Sequence, residues 1–144
     1  TGLDPAVRKE VLDEMMNALE EETRSILFSS HNTLDIEQIS DYITFIYGGR
    51  IIESKNKEDF LDDWRRLRLT NMHSSQLPNL PNIKDAQQSG QLCTVTVYDF
   101  DDTIPKEFTN AGLSVDSIER LTLEEIFLSN VNFAKGNMNK DLTL

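Results

Sequence analysis

The pair Gly48-Gly49 separates two runs of residues that favour β-strands. The first run, residues 42–47, contains only aromatic and β-branched side chains, and the second, residues 50–54, contains the apolar pair Ile51-Ile52. Adjacent glycines tolerate the positive φ angles that a two-residue hairpin turn requires. The sequence therefore predicts an antiparallel β-hairpin over these residues.

Helical and extended segments are predicted on both sides of this hairpin. Asp4 can cap the free amides of a first helical turn, and Pro5 suits the first helical position because it lacks an N–H. Apolar residues then recur at helical spacing to about residue 23. Further helices are predicted over residues 34–40, 57–63, 104–111 and 123–130, and strands over residues 25–30, 91–99 and 113–121, with residues 65–70 able to supply one more. Residues 70–90 are predicted to form a loop and residues 134–144 a frayed tail.

The composition indicates a globular protein of a reducing compartment. The chain has 144 residues, of which 38% are hydrophobic and 27% charged, enough for one domain or a piece of a domain with a small appendage. Cys93 is the single cysteine, which excludes an internal disulfide and a cysteine cage for zinc. No apolar run approaches the roughly 20 residues that span a bilayer, and no basic-then-apolar leader opens the chain. We therefore expect a cytoplasmic location.

The charge balance argues against a nucleic-acid partner. The net charge is −11, from 25 acidic and 14 basic residues, and such a field repels nucleic acid unless a local basic patch offsets it. The cluster Arg65, Arg66 and Arg68 is flanked by Asp62 and Asp63. We interpret this cluster as the decoration of a strand rather than as a phosphate-binding patch.

Two motifs in the first 31 residues carry a family resemblance. The pentapeptide Thr1-Gly2-Leu3-Asp4-Pro5 resembles the D-loop of ATP-binding cassette (ABC) ATPases. The tripeptide Ser29-Ser30-His31 ends an apolar run at the place where that family carries its switch histidine. Acidic residues also follow the histidine at the family's spacing, namely Asp35, Glu37 and Asp41.

Two later segments extend the resemblance to residue 128. The segment YGGRII at residues 47–52 matches the hairpin that has the consensus sequence G-x-I/V in that family. The segment LTLEEIFL at residues 121–128 resembles the S-L-E-x-x-F-L helix that ends the accessory domain of drug- and bacteriocin-export ATPases. The chain thus resembles the C-terminal part of an ABC transporter ATP-binding subunit.

The resemblance implies an α/β fold in two parts. Residues 1–63 would be the C-terminal part of the ABC ATPase domain, a partial P-loop NTPase sheet with flanking helices. Residues 64–144 would be a small α+β accessory domain with a flexible tail. In the full-length protein, the resemblance implies that ATP hydrolysis drives export across a membrane.

The resemblance also implies roles for two residues. His31 would hydrogen-bond the γ-phosphate of ATP and help to orient the attacking water, and Asp4 would contact the facing subunit and couple the two ATP sites. ATP and Mg²⁺ are the implied cofactors of the full-length protein. The implied partners are a second copy of the ATPase subunit and a transmembrane permease, at the inner face of the cell membrane.

Several nucleotide-binding motifs of that family do not occur in this sequence. It contains no G-x-x-x-x-G-K-[S/T] loop to cradle phosphates and no family signature sequence. The Walker B aspartate and the catalytic glutamate would precede Thr1. We therefore expect no bound cofactor or metal, and neither binding nor hydrolysis of ATP, in this chain alone.

Two other functions are compatible with the residues. The segment VYDFDDTI at residues 97–104 resembles the first motif of haloacid-dehalogenase-type phosphatases, in which Asp99 would be the nucleophile and Asp101 the acid/base beside Mg²⁺. Only about 40 residues follow, and no downstream acidic pair completes the metal site, so a solvated turn that caps the next helix is the simpler interpretation. A non-catalytic interaction or regulatory module is the third hypothesis.

The predicted strand at residues 25–30 has a consequence for assembly. In the resembled fold it pairs inside a parallel sheet, and the other strands of that sheet have no counterpart in this sequence. An unpaired strand edge with apolar neighbours favours self-association. We therefore expect a dimer or a swapped assembly that forms through the first part of the chain.

Overall fold

The computed structural model describes residues 4–21, 23–73 and 75–141, with side chains to residue 135. It divides into two compact units, Thr1–Asp41 and Tyr42–Leu144. The first unit contains helices α1 (Pro5–Leu19) and α2 (Thr33–Ile39). The second unit contains β1 (Tyr42–Tyr47), β2 (Arg50–Asn56), α3 (Lys57–Asp63), β3 (Arg65–Thr70), β4 (Ile83–Ser89), β5 (Leu92–Val97), α4 (Ile104–Asn110), β6 (Ser114–Arg120) and α5 (Leu123–Asp141). The resemblance to ABC ATPases predicts a domain boundary after residue 63. That boundary stays a prediction.

Helix α1 begins as predicted and ends earlier. The Asp4 side chain accepts a hydrogen bond from the Ala6 amide, and Pro5 occupies the first turn. The helix stops at Leu19 rather than near residue 23. Glu20 and Glu21 follow at once, and their negative charges oppose the helix dipole at this end, which disfavours continuation.

The strand predicted over residues 25–30 does not form. Residues 24–30 have no regular secondary structure, and Leu27 is fully exposed. A strand is stable only where a neighbouring strand satisfies its backbone N–H and C=O groups. The described part of the first unit contains no strand that could do so, so the prediction of a buried strand is wrong for this chain.

The predicted β-hairpin is confirmed. Strands β1 and β2 pair antiparallel, and Tyr47 lies opposite Arg50 across the turn. Gly48 and Gly49 have φ angles of 56° and 73°, the positive values that the turn requires. A β-bulge between Phe45 and Ile46 shifts the register in the middle of the hairpin.

The larger sheet has the strand order β4-β5-β3-β6, with every neighbouring pair antiparallel. Its central strands supply one apolar face, which packs against α4 and the residue that precedes β6. The buried side chains of this core are Leu67, Leu69, Cys93, Val95, Val97, Ile104, Phe108 and Leu113. The strand at residues 65–70 and the helix α4 agree with the sequence analysis.

Strand β4 lies inside the segment that was predicted to be a loop. Its residues, IKDAQQS, are mostly polar and lack the β-branched alternation that marks a strand. They pair with β5 across the two-residue turn Gly90-Gln91, and Gly90 has a φ of 61°. The backbone ladder to β5 therefore forms this edge strand, although its side chains give little signal.

Helix α5 begins at the predicted residue and continues further. The Thr122 amide donates to the Glu125 carboxylate at 2.9 Å, and the Glu125 amide donates to the Thr122 hydroxyl at 3.3 Å, which is a capping box. The helix continues past Asn130, through the buried Val131, and ends at Asp141. It therefore includes Ala134 and Lys135, where the sequence predicted a frayed tail.

The described residues form a mixed α/β protein with two antiparallel sheets. The finer description, a partial P-loop NTPase sheet followed by an α+β accessory domain, stays a prediction. Within the ranges given above, no helix is long and apolar enough to cross a membrane.

Candidate functional site

Of the predicted D-loop, the structure describes Asp4 and Pro5. Residues 1–3 of that motif lie outside the described residues. The Asp4 carboxylate is exposed and accepts the Ala6 N–H at 2.9 Å. This bond caps α1 and leaves the other carboxylate oxygen free for another donor. Asp4 can therefore act as a helix cap and as a contact residue at the same time.

His31 lies in a bend immediately before α2, and its side chain is exposed. The Asn32 side chain caps the helix by accepting the Leu34 amide at 3.0 Å. The Ser30 hydroxyl in turn accepts the Asn32 amide at 3.0 Å. These bonds define the backbone on both sides of His31, and no hydrogen bond within the described chain occupies its imidazole.

An ion pair joins α1 to α2 inside the first unit. The Arg8 Nε donates to both carboxylate oxygens of Asp35 at 2.9 Å, and Nη2 donates to Oδ1 at 2.6 Å. The Asp35 side chain is 17% exposed, so much of the pair is shielded from water. A forked guanidinium contact of this kind restricts orientation as well as distance. The helix capped by Asp4 is thereby tied to the helix that follows His31.

In the sequence, Asp35 stands out only by its spacing from His31, and Arg8 does not stand out. A basic residue in the second turn of an amphipathic helix is ordinary, and its partner lies 27 positions away. The available signal was a pair of basic residues, Arg8 and Lys9, near the start of a helix of mixed charge. That signal does not reveal which of the many carboxylates the arginine contacts.

Asp99 and Asp101 lie in the turn between β5 and α4. Asp99 has a φ of 54°, and its carbonyl accepts the Asn82 side-chain amide at 3.1 Å. The Asp101 carboxylate accepts the Thr103 hydroxyl and the Thr103 amide, the latter at 2.7 Å. These two bonds hold the pKa of Asp101 below its usual value, and the hydroxyl bond has the larger effect.

Through these bonds Asp101 holds the turn that leads to Thr103, the N-cap residue of α4. A general acid that works near neutral pH needs a pKa raised toward that pH, and the Thr103 bonds act in the opposite direction. Among the residues that the structure describes, no group of three or more His, Cys, Asp and Glu side chains is placed to hold a metal ion.

A polar network of the second unit surrounds Lys55. Its Nζ lies 2.6 Å from both Glu53 and Asp63 and 3.4 Å from the Tyr98 hydroxyl. The Asn130 amide donates to the other oxygen of Glu53 at 3.0 Å. Burial acts to lower the pKa of Lys55, but the bonds to Asp63, Glu53 and Tyr98 together outweigh it and raise the pKa.

A lysine held in its charged form is neither a base nor a nucleophile at neutral pH. The Lys55 network instead joins β2, α3, α5 and Tyr98, which directly follows β5, through side chains that are distant in sequence. We interpret it as a structural clamp within the second unit.

The basic cluster predicted to decorate a strand does so. Arg66 pairs with Glu125 at 2.9 Å, and Arg68 pairs with Glu119 at 2.8 Å. The Arg65 guanidinium donates to the carbonyls of Leu61 and Asp62. Each of these arginines therefore has an acceptor within the fold.

Comparison with models of known protein families finds no match to this chain, and comparison with curated proteins finds no significantly similar sequence.

Proposed function

We propose that this chain is the C-terminal part of the ATP-binding subunit of an ABC transporter, which in the complete protein hydrolyses ATP to drive export. The observation that supports this proposal best is the arrangement of the first unit. The helix that Asp4 caps and the helix that follows His31 are tied by the Arg8–Asp35 pair. A site that senses nucleotide needs both elements to respond together.

The exposure of His31 is compatible with a role at the γ-phosphate. Phosphoryl transfer is catalysed mainly by positioning and by charge stabilisation, so a hydrogen-bond donor placed at the γ-phosphate can change the rate strongly. The imidazole of His31 has no partner among the described residues, and the bonds around Asn32 hold its backbone. His31 is therefore available to donate to a phosphate oxygen of bound ATP.

Asp4 is proposed to act in the dimer of ATPase subunits. Its exposed carboxylate retains acceptor capacity after it has capped α1. A contact to the facing subunit would connect nucleotide sites that two subunits share. The loop that cradles phosphates and the residues that hold Mg²⁺ would come from parts of the protein with no counterpart in this sequence.

The test compares the full-length protein that contains this chain with the chain alone. We expect the full-length protein to bind and hydrolyse Mg-ATP, and the chain alone to do neither. Asp4→Ala in the full-length protein should reduce the cooperativity of hydrolysis between the two sites and leave the binding of the first ATP intact. Micromolar binding of Mg-ATP to the chain alone, or a full-length protein without ATPase activity, would contradict the proposal.

A further inference from the structure

A continuous path of hydrogen bonds joins the two candidate residues of the first unit. The Arg8 amide donates to the Asp4 carbonyl at 2.9 Å in the first turn of α1. The Arg8 guanidinium donates to the Asp35 carboxylate at 2.6–2.9 Å. The Asp35 amide donates to the Asn32 side chain at 3.4 Å, and Asn32 directly follows His31. The path therefore runs from the residue that caps α1 to the neighbour of His31.

The Arg8–Asp35 contact is the long-range step of this path. Exposed ion pairs hold their elements only weakly, but a forked contact between a guanidinium and a carboxylate fixes orientation as well as distance. The Asp35 side chain is 17% exposed. The other arginine pair of the first unit, Arg24 with Glu21, is 53% and 61% exposed and joins residues three positions apart. We therefore expect the first pair to restrict α2 and the second to be dispensable.

The position of Asp35 in α2 gives its carboxylate a second possible partner. Asp35 lies three residues after the N-cap residue Asn32. A carboxylate at that position can accept the N–H of the N-cap residue, which is one half of a capping box. In the structure Arg8 holds the carboxylate instead, and the Asn32 amide donates to the Ser30 hydroxyl at 3.0 Å. The Asn32 amide thus has two possible acceptors, and Arg8 determines which of them it meets.

We propose that Arg8 is a positioning residue for His31 and acts on it through Asp35 and Asn32. The peptide group between His31 and Asn32 is planar, so the direction of the Asn32 N–H sets the ψ angle of His31. With Arg8 in place, this N–H points to Ser30. Without Arg8, the Asp35 carboxylate is free to accept the N–H, and the peptide group rotates. The inference rests on the proposed function, in which His31 donates to the γ-phosphate.

A rotation of that peptide group matters because phosphoryl transfer depends on positioning. A displaced imidazole still carries its hydrogen-bond donor but meets the γ-phosphate less well. In the full-length protein we expect Arg8→Met to lower the kcat of ATP hydrolysis roughly tenfold, within the 10²-fold that a displacement of about 1 Å can cost. The KM for Mg-ATP should change little, because most phosphate contacts would come from parts of the protein outside this sequence.

The test measures the effect of Arg8→Met on kcat with and without the imidazole of His31. In the His31→Ala background Arg8→Met should cause no further loss, because a residue that acts through the imidazole has nothing left to position. A residue that only stabilises the fold would lower kcat by the same factor in both backgrounds. Asp35→Asn, which keeps the size of the side chain, should behave like Arg8→Met. The matched control is Arg24→Met, which should change kcat in neither background.

A second measurement needs no nucleotide. In the chain alone, the amide cross-peaks of His31 and Asn32 in a ¹H–¹⁵N NMR spectrum should move in Arg8→Met and stay in place in Arg24→Met, with the helical signal at 222 nm retained in both. Unmoved cross-peaks, or an equal loss of kcat in both backgrounds, would overturn the role of Arg8 and leave the proposed function standing. Full activity of His31→Ala would instead overturn the proposed function, and the role of Arg8 in catalysis with it.

Discussion

At the scale of single residues, the contact between Arg8 and Asp35 depends on the fork of the guanidinium group. Two nitrogens of Arg8 reach the carboxylate at 2.6–2.9 Å, and a lysine ammonium cannot reproduce that geometry. We expect Arg8→Lys to destabilise the first unit nearly as much as Arg8→Met, by about 1 kcal/mol, the upper range for a partly exposed pair.

A double-mutant cycle with Asp35→Asn measures this coupling. The helical signal at 222 nm, followed during urea unfolding, reports the stability of each variant. If the effects of Arg8→Met and Asp35→Asn are simply additive, the pair does not tie α1 to α2.

Glu125 should make stability depend on pH in the acid range. The bond from the Thr122 amide is the largest cause that lowers the pKa of Glu125; burial opposes it, and Arg66 adds to the lowering. The folded protein therefore binds this proton more weakly than the unfolded chain. Its contribution to stability is present above the ordinary pKa of 4.5 and is lost as pH falls through the folded-state pKa.

Glu125→Gln should accordingly lower the free energy of unfolding at pH 7, by about 1 kcal/mol or less because the group is partly exposed. The difference from the unmodified chain should vanish in acid. The neighbouring substitution Glu124→Gln is the control and should change stability little at either pH. A Glu125→Gln deficit that stays constant with pH would argue against the Thr122 and Arg66 contacts.

Local patterns predicted residues whose partners are near in sequence. The cap at Asp4 was predicted from spacing within one turn of helix; the Thr122–Glu125 box has the same short spacing but was not predicted. The bond between Asn130 and Glu53 joins residues 77 positions apart, and no local pattern indicates it. Long-range polar pairs depend on how the elements pack, which a single sequence does not specify.

At the scale of elements, the hairpin turn offers the clearest test of backbone conformation. A Cβ at Gly49 would meet no atom within 4 Å, so any cost of substitution there is conformational. Gly49→Ala must place a side chain at a φ of 73° and should cost about 1 kcal/mol. Gly49→Asn should cost much less because Asn tolerates this region. Equal urea midpoints for the two variants would contradict this account.

Two strands illustrate what element-level prediction misses. Residues 25–30 have the composition of a buried strand, yet they form none because no neighbouring strand satisfies their backbone. Strand β4 has the composition of a loop, yet it forms because β5 is adjacent across a short turn. Strand formation thus depends on a partner as much as on side chains.

At the scale of the whole molecule, the two units differ in how much they bury. Helix α1 has no buried residue, whereas β3 and β5 include Leu67, Leu69, Val95 and Val97, all at 0% exposure. Local opening is easiest where few apolar contacts are lost. Amide hydrogens of α1 should therefore exchange with deuterium faster than those of β3 and β5. Equal protection of α1 and β5 would indicate a single cooperative unit instead.

The proposed ATPase function makes its most direct claim about His31. In the full-length protein, His31→Ala should lower the kcat of ATP hydrolysis by about 100-fold or more, as expected when a donor to the transferring phosphoryl group is lost. The affinity for Mg-ATP should change little, because most phosphate contacts lie elsewhere. His73→Ala, which removes the other exposed histidine, should have no effect. A His31→Ala protein that hydrolyses ATP as fast as His73→Ala would contradict the account.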